Sequence, residues 1–449
     1  MRSSSLRQHR WLLLPLLLLG ALLLIPGVAS KKHVAVAATT NSGIMCTTSS
    51  SPNASFTLTA KPGFIAMPDG NTILAWSYAP ASGSFQFPGP VLCVNQGDVV
   101  TIILNNALPE PVSIVFPGIN NVLADAAPAQ PQFDGFGTLT SLTTPANTNG
   151  SVTYSFVASE PGTYLYESGT DPGKQVQMGL YGALVVRPAG HADWAYNSMD
   201  GSGLPLSQFN PDTEYVMLFS ELDPALHQAV ERGQPYDVTT LHQRYWLING
   251  RSFPDTIAPN NAAWLPTQPY SALVHMVVND PVANPLPALI RYLNTGVFNH
   301  PFHPHGQNGR IIARDARPLV GPANEDISYE TFAFTIGSGQ TWDATYAYYY
   351  QEAYDPNTNP IPVTVPQLQN LTFKDQATYY SGSPYLGYKG DLPAGTTTFN
   401  ECGEYYMVFH SHALYEVANF EAGFGGMLTL QRIDPPVSQQ QQTGLVCIR

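Results

Sequence analysis

The sequence predicts an all-β protein made of two Greek-key β-sandwich domains. Charged residues make up only 11% of the chain, while Pro (40 residues), Gly (37) and Tyr (24) are abundant, a composition typical of strands joined by many turns. Short apolar or alternating segments bounded by turn residues recur, for example at 98–104, 182–186, 215–219 and 289–293. At 449 residues the chain is long enough for two domains of ordinary size.

Two blocks of similar layout follow each other along the chain. We predict an N-terminal domain at 60–188 and a C-terminal domain at 213–435, with a linker at 189–212 that is rich in Gly, Ser, Asp and Pro. Each block contains a central apolar strand and closes with a Gly-X-Tyr segment, at 162–164 and 403–405, that leads into a last apolar strand. This repetition is typical of a pair of sandwiches.

Two segments depart from the strand pattern. The one helix that the sequence predicts lies around Pro224 to Gly233. The second block also contains an insertion at 348–400 that is rich in Tyr, Pro and Gly. A loop of that length is usually a lid or an interface, and a packed surface decoration is the alternative.

The N-terminus predicts a signal peptide over residues 1–37. Arg2, Arg7 and Arg10 precede an apolar core at 11–25, and small residues follow it. The core is shorter than the roughly 20 residues that span a membrane, so we expect cleavage and secretion. The alternative is an uncleaved anchor that holds the protein at the cell surface.

Four cysteines follow the predicted signal peptide, and an even number in an exported protein suggests two disulfides. Three pairings are possible. Cys46 and Cys447 lie near the two ends, so one option ties the ends together and links Cys93 to Cys402. None of the four has a metal-like spacing to another Cys or His, so we interpret all of them as structural.

Two dense clusters hold five of the chain's eleven histidines: His-Pro-Phe-His-Pro-His-Gly at 300–306 and Phe-His-Ser-His at 409–412. Successive side chains on a strand point to opposite faces. The parity therefore predicts two sites. His300 and residue 411 form one of them, and the other gathers His303, His305, His410 and His412. Ordinary hydrogen-bonded core or surface histidines are the alternative.

These motifs resemble the two C-terminal copper motifs of multicopper oxidases, laccase-like proteins in which a Cys stands between the paired histidines; here that residue is Ser411. The resemblance covers roughly residues 60–435. The spacing between the motifs at 182 and 300 leaves no room for a middle domain, so the resemblance implies two cupredoxin-like domains. In the first block it rests on the segments 89–91, 95–98, 113–118, 162–169 and 179–183.

The resemblance implies a three-copper cluster held by eight histidines, four from each domain. The second-domain positions match His303, His305, His410 and His412. The first-domain positions contain no histidine and fall at Val115, Pro117, Glu167 and Gly169. We expect the four histidines to hold one metal ion, with Glu167 as an added carboxylate ligand.

The blue copper site that the resemblance implies is also incomplete. His300 matches the first His ligand and Met427 resembles the axial ligand, but Ser411 replaces the Cys and the second His falls near Glu416. A Ser hydroxyl stays protonated at neutral pH and is a poor copper ligand. The usual route of electrons through the Cys thiolate is therefore missing.

These observations lead to two hypotheses for a secreted protein that binds copper, or another divalent metal, at a single or partly occupied site. One is an oxygen-dependent oxidoreductase with a phenolic or metal-ion substrate. The other is a redox-inactive metal-binding or surface protein of the same fold. The formal net charge of −13 argues against a nucleic-acid partner, and the two-domain branch of the family implies a homotrimer.

Overall fold

Strands dominate the part of the chain that the computed structural model describes, which is residues 42–434 except 82, 350–370, 373–376, 380–387, 392–404, 421 and 424. The predicted signal peptide, most of the predicted insertion, Cys402 and Cys447 lie outside the described residues. No helix in the described ranges is long and apolar enough to cross a membrane.

The described residues of the first half form twelve strands: β1 (Cys46–Thr48), β2 (Asn53–Ala66), β3 (Thr72–Pro80), β4 (Val91–Asn95), β5 (Val99–Asn106), β6 (Leu123–Ala124), β7 (Ala127–Pro128), β8 (Gln132–Phe133), β9 (Leu139–Ser141), β10 (Ser151–Val157), β11 (Gly162–Glu167) and β12 (Tyr181–Arg187). Two sheets, in the orders β1-β4-β12-β11 and β3-β2-β5-β10-β6-β7, form the first sandwich. Apolar side chains alternate with more exposed ones along these strands. In β5, Val100, Ile102 and Leu104 are fully buried and face the core between the sheets.

The second half contains the remaining described strands: β13 (Glu214–Leu222), β14 (Tyr245–Ile248), β15 (Val274–Val277), β16 (Ala288–Asn294), β17 (His300–Pro304), β18 (Gly309–Arg314), β19 (Arg317–Pro318), β20 (Tyr329–Thr331), β21 (Phe334–Ile336), β22 (Thr341–Tyr346), β23 (Leu371–Thr372), β24 (Ala377–Tyr379), β25 (Tyr388–Asp391), β26 (Tyr405–Ser411), β27 (Ala418–Asn419), β28 (Ala422–Gly423) and β29 (Leu428–Asp434). A nine-stranded sheet runs β19-β18-β22-β16-β13-β14-β27-β28, with β20 beside β18, and faces a sheet of order β15-β29-β26-β17-β21. Their core contains Met217, Tyr292, Phe302, Phe409 and Met427. The all-β sandwich fold is confirmed.

The two sandwiches share a core. In β12, Leu184 faces the first core, while Val185 faces a second core that also contains Leu218 of β13 and Leu247 of β14. The strand is thus apolar on both faces because both are covered. All described residues belong to one compact unit, and the domain boundaries at 60–188 and 213–435 stay a prediction.

A buried polar network also crosses between the two halves. The guanidinium of Arg291 pairs with Glu214 at 2.7 Å and with Asp343 at 3.5 Å. Asp343 in turn accepts a 2.7 Å hydrogen bond from the hydroxyl of Thr163 on β11, and Glu214 pairs with Arg187 on β12 at 2.6 Å. Two cations face two carboxylates, so the network is balanced in charge.

The described part contains two α-helices, α1 (Pro172–Met178) and α2 (Pro224–Glu231), and a 3-10 turn at Leu414–Glu416 that bears on the site. The predicted helix is confirmed as α2, where Pro224 stands at the first position and the carboxylate of Asp223 caps the amide of Ala225 at 2.9 Å. The sequence did not predict α1, because seven residues are too few to show helical periodicity.

One disulfide lies in the described residues, between Cys46 and Cys93, with Cα atoms 5.4 Å apart. The suggested pairings of Cys46 with Cys447 and of Cys93 with Cys402 are therefore wrong. The reason is that β1 pairs in parallel with β4 and places Cys46 opposite Val91 and Thr48 opposite Cys93. This brings two cysteines on neighbouring strands within disulfide distance.

Candidate metal centre

The histidines lie on two neighbouring antiparallel strands, β17 and β26, in which His303 stands opposite His410 and Phe302 opposite Ser411. Burial alternates along both strands. His300 and Ser411 are fully buried, whereas His303 and His410 are half-buried on the other face. The strands therefore separate two groups, in the way that the parity of the sequence predicts.

On the outer face, three imidazoles converge into what we call the surface histidine group: His303, His305 and His410. One ring nitrogen of each lies within 4.8 Å of the other two. Nε2 of His305 lies 3.1 Å from Nε2 of His410. The exposed ring of His412 is adjacent, with its centroid 5.3 Å from that of His303 and 5.8 Å from that of His410.

Main-chain carbonyls set the tautomers of two of these rings. Nδ1 of His303 lies 2.6 Å from the carbonyl oxygen of Phe332, and Nδ1 of His410 lies 2.7 Å from that of Ser411. A carbonyl only accepts, so each Nδ1 holds the proton and each Nε2 keeps a free lone pair. Such an outer contact is typical of a metal-binding histidine.

The electrostatic environment favours the neutral form of His305 and His410. Burial lowers the pKa of His305, and the neighbouring His410, His303 and His412 lower it further. Burial also lowers the pKa of His410, and repulsion from His303 and His412 adds to this effect. Neutral imidazoles are the form that binds metal ions, and imidazole suits copper, zinc, iron and nickel.

On the inner face lies a second group, which we call the buried cluster: Glu221, His300, Ser411 and Glu416. Each of its side chains is at most 1% exposed. Nδ1 of His300 lies 2.8 Å from Oε2 of Glu416, and Nε2 lies 3.0 Å from Oε1 of Glu221. The Ser411 hydroxyl donates to the same Oε2 of Glu416 at 2.5 Å.

The carboxylates control the charge of His300. Burial lowers the pKa of His300, but hydrogen bonding and attraction to Glu221 and Glu416 outweigh it and raise the pKa to about 9. Without a metal ion, the ring is therefore an imidazolium at neutral pH. Met427 borders this cluster: its amide donates to the carbonyl of Glu416 at 2.8 Å and its carbonyl accepts from the amide of Ser411 at 2.9 Å.

Three of the first-block positions, Val115, Glu167 and Gly169, lie together. Glu167 ends β11 and forms a β-bridge with Val115, and a side chain at Gly169 would collide with Val115. Burial raises the pKa of Glu167. Among the described residues, the metal-competent group does not include Glu167.

Comparisons with known proteins point in one direction. The family model described as multicopper oxidase matches residues 83–191. The chain is 36% identical over 173 residues to an L-ascorbate oxidase of Cucumis sativus, covering 37% of this chain and 25% of that protein. It is 31% identical over 202 residues to a copper-containing nitrite reductase of Neisseria meningitidis serogroup B, covering 44% and 43%.

Solved structures agree in fold. A multicopper oxidase crystal structure superposes with a TM-score of 0.51 at 18% identity, covering 90% of this chain and 97% of that one. A blue copper oxidase from Nitrosomonas europaea gives a TM-score of 0.52 at 18% identity, with 85% of each chain covered.

The match at 83–191 and these relatives support a multicopper oxidase family member. The chain matches less than half of the length of the two curated relatives named above.

The sequence analysis missed one residue of the buried cluster, Glu221. It lies on β13, where all nine residues are buried, and it accepts hydrogen bonds from the amides of Val297 and Phe298 at 3.2 and 3.0 Å. The sequence did contain one signal for it: an acidic residue within a continuously apolar strand is expected to be buried, and a buried charge needs a partner. The partner itself, His300, is distant in sequence.

Proposed function

We propose that this chain is an exported metal-binding protein of the multicopper oxidase family that holds one metal ion on His303, His305 and His410. Copper is the first candidate because imidazole ligands and the family both favour it. Zinc or another divalent ion suits the same three ligands. His412 lies at the edge of the group and serves as a weaker fourth ligand.

The single observation that supports this proposal most strongly is the convergence of three ring nitrogens within 4.8 Å of one another. Two of the rings already have their Nδ1 atoms bonded to main-chain carbonyls, so their Nε2 atoms are arranged before a metal ion arrives. Preorganised ligands lose less entropy on binding. Ordinary surface histidines do not need this arrangement.

We also propose that the copper set is incomplete. At the four first-block positions the chain has Val115, Pro117, Glu167 and Gly169, none of which offers an imidazole. At the blue copper position the neighbours of His300 are carboxylates and a hydroxyl instead of a thiolate and a second imidazole. Blue copper needs two His and one Cys in its trigonal plane.

Glu167 stays a proposed ligand that a second copy of the chain would have to supply, since it is outside the group in its own chain. A homotrimer with sites between copies would provide it. This part rests on the two-domain branch of the family, in which such an assembly is expected.

The alternative function is an oxidoreductase with a single metal ion. The observation in its favour is that His305 is exposed, so a metal ion on this group would face solvent and keep an open position for a ligand. The named relatives are an ascorbate oxidase and a nitrite reductase, which makes small phenolic or inorganic substrates the first to assay.

The experiment is a titration of purified mature protein with Cu²⁺ and with Zn²⁺ by calorimetry. We expect about one tight site per chain, and His305→Ala should weaken it by about tenfold or more. His242→Ala is the matched control because His242 is also exposed but lies outside the group. Equal affinity in wild type and His305→Ala would reject the proposal, and oxygen uptake with a phenol would favour the alternative function.

A further inference from the structure

We propose that the first half of the chain contains a groove that binds a neutral oligosaccharide. The groove lies between the loop at 114–122 and the residues that flank the β8–β9 hairpin. All residues that line it fall within 99–159, whereas the surface histidine group lies at 303–305 and 410. This proposal is therefore independent of the metal site proposed above.

The groove consists of two adjoining hollows. The larger has a volume of about 400 Å³ and the smaller a volume of about 220 Å³. Asn120 and Asn121 line both, so the hollows meet at these two residues. Ligand sites commonly have volumes of roughly 300–1,000 Å³. A compact molecule would fill only one hollow, whereas a chain of two or more rings would occupy both.

The lining of the groove carries no charge. Among the described residues, none that lines either hollow is Lys, Arg, His, Asp or Glu. In the adjoining hairpin, the carboxylate of Asp134 accepts hydrogen bonds from the amides of Phe136 and Thr138, both at 2.9 Å. A charged ligand would lose hydration in the groove without gaining an ion pair, and the net charge of −13 repels anions. The ligand that fits is uncharged.

Three amide side chains favour a ligand with many hydroxyl groups. Asn120, Asn121 and Gln130 are exposed and line the larger hollow. Each amide offers N–H donors and an oxygen acceptor, which matches hydroxyl groups that both donate and accept. An aromatic or aliphatic ligand would cover these amides without replacing the hydrogen bonds that they make to water, and that loss is unfavourable.

A buried hydroxyl in the wall of the larger hollow has no partner. Thr143 lines this hollow and is 2% exposed. Its Oγ1 has no hydrogen-bond partner among the described residues. A buried hydroxyl without a partner is destabilising, and a hydroxyl group of a ligand in the hollow would supply one.

The β8–β9 hairpin adds apolar surface at the edge of the groove. Gln130 precedes β8 and Leu142 follows β9, and both line the larger hollow. The hairpin therefore begins and ends at its rim. Along it, Phe133 is 61% exposed, Phe136 97% and Leu139 49%. The face of an aromatic ring is negative and attracts C–H groups, and sugar rings present such groups on their flat faces.

The test is a calorimetric titration of the metal-free full-length chain with three neutral oligosaccharides, cellopentaose, xylopentaose and maltopentaose, and with the acidic pentagalacturonate. We expect at least one neutral sugar to bind with a millimolar or lower Kd, and the acidic sugar not to bind. Phe133→Ala and Asn121→Ala should each weaken binding by about tenfold. Phe64→Ala is the matched control and should keep the affinity, because Phe64 is 50% exposed but lies on β2, outside the groove.

Thr143→Val separates a role in binding from a role in folding. Valine has a similar shape but no hydroxyl, so the variant should bind the sugar more weakly while its unfolding temperature stays the same or rises. A lower unfolding temperature with unchanged sugar affinity would contradict the role given to this hydroxyl and count against the groove.

Two further results would overturn the inference. One is that no neutral sugar binds, or that one binds equally well to wild type, Phe133→Ala and Asn121→Ala. The other comes from sedimentation of the sugar-free protein. If Phe133→Ala converts an oligomer into a monomer and no sugar binds to either form, the hairpin is an interface between copies of the chain. Copper binding at the surface histidine group affects neither result.

Discussion

Nδ1 of His300 lies 2.8 Å from Oε2 of Glu416, and both side chains are 0% exposed. We propose that this contact stands where a blue copper site of the family would need a second imidazole near its first. On this proposal the position is lined by oxygen instead of a thiolate, and it does not support the electron-entry chemistry of the family.

Ser411→Cys alone should not create a blue copper site. The new thiolate would face His300, but Glu416 would remain where the trigonal plane requires nitrogen. We expect weak copper binding and no intense thiolate charge-transfer band in the absorption spectrum. The double variant Ser411→Cys with Glu416→His is the comparison. A strong blue band in the single variant would show that another ligand already lies at this position.

Metal affinity at the surface histidine group should fall in a definite order. His305→Ala should weaken Cu²⁺ binding by about tenfold or more, whereas His412→Ala should have a smaller effect, because the ring of His412 lies outside the set of nitrogens within 4.8 Å. Calorimetry on both variants checks the order. The reverse order would move the metal ion towards His412.

Glu167→Ala separates binding within one chain from binding between copies. In a monomeric fraction we expect metal affinity to stay within about twofold, since Glu167 lies outside the group in its own chain. In a trimeric fraction the affinity should fall, because a neighbouring copy would lose a carboxylate ligand. An unchanged affinity in the trimer would remove Glu167 from the ligand set.

Stability in acid should depend on Glu214. Burial opposes ionisation of this carboxyl, but Arg291 and Arg187 outweigh it and lower its pKa. A lowered folded-state pKa gives stability that is present above the unfolded value and lost as the pH falls through the folded value. Glu214→Gln should therefore cost about 3 kcal/mol at neutral pH, because the buried Arg291 loses its closest carboxylate and keeps only the 3.5 Å contact with Asp343.

That difference between Glu214→Gln and wild type should shrink as the pH falls, because the wild-type carboxyl then becomes protonated as well. Urea unfolding at neutral and acid pH measures it. A constant difference at all pH values would mean that the ionised form of Glu214 does not stabilise the fold.

The Cys46–Cys93 disulfide should be found by peptide mapping without reduction. Replacing both cysteines by Ser should lower the free energy of unfolding by about 2–4 kcal/mol, since the bond closes a loop with a sequence separation of 47. Urea unfolding checks the size. A mapped peptide joining Cys46 to Cys447 would contradict the structure.

The sequence predicted what depends on local order. The two-residue periodicity of a strand placed His300 on the face opposite His303, and this inference requires no knowledge of the neighbouring strand. The helix around Pro224 is also a local feature, and in the structure Pro224 stands at its first position and Asp223 caps it.

What the sequence could not predict depends on contacts between distant strands. Glu221 contacts His300 only because β13 and β17 pack in facing sheets, and Cys46 reaches Cys93 only because β1 pairs with β4. Neither of these follows from spacing along the chain.

The copper content and absorption spectrum of the copper-loaded mature protein test the central claim most directly. We predict about one tightly held copper per chain, its loss in His305→Ala, a spin-resonance signal typical of imidazole-bound copper, and no intense blue band. Three or four coppers per chain, with a blue band and oxygen-dependent oxidation of phenols, would contradict the account.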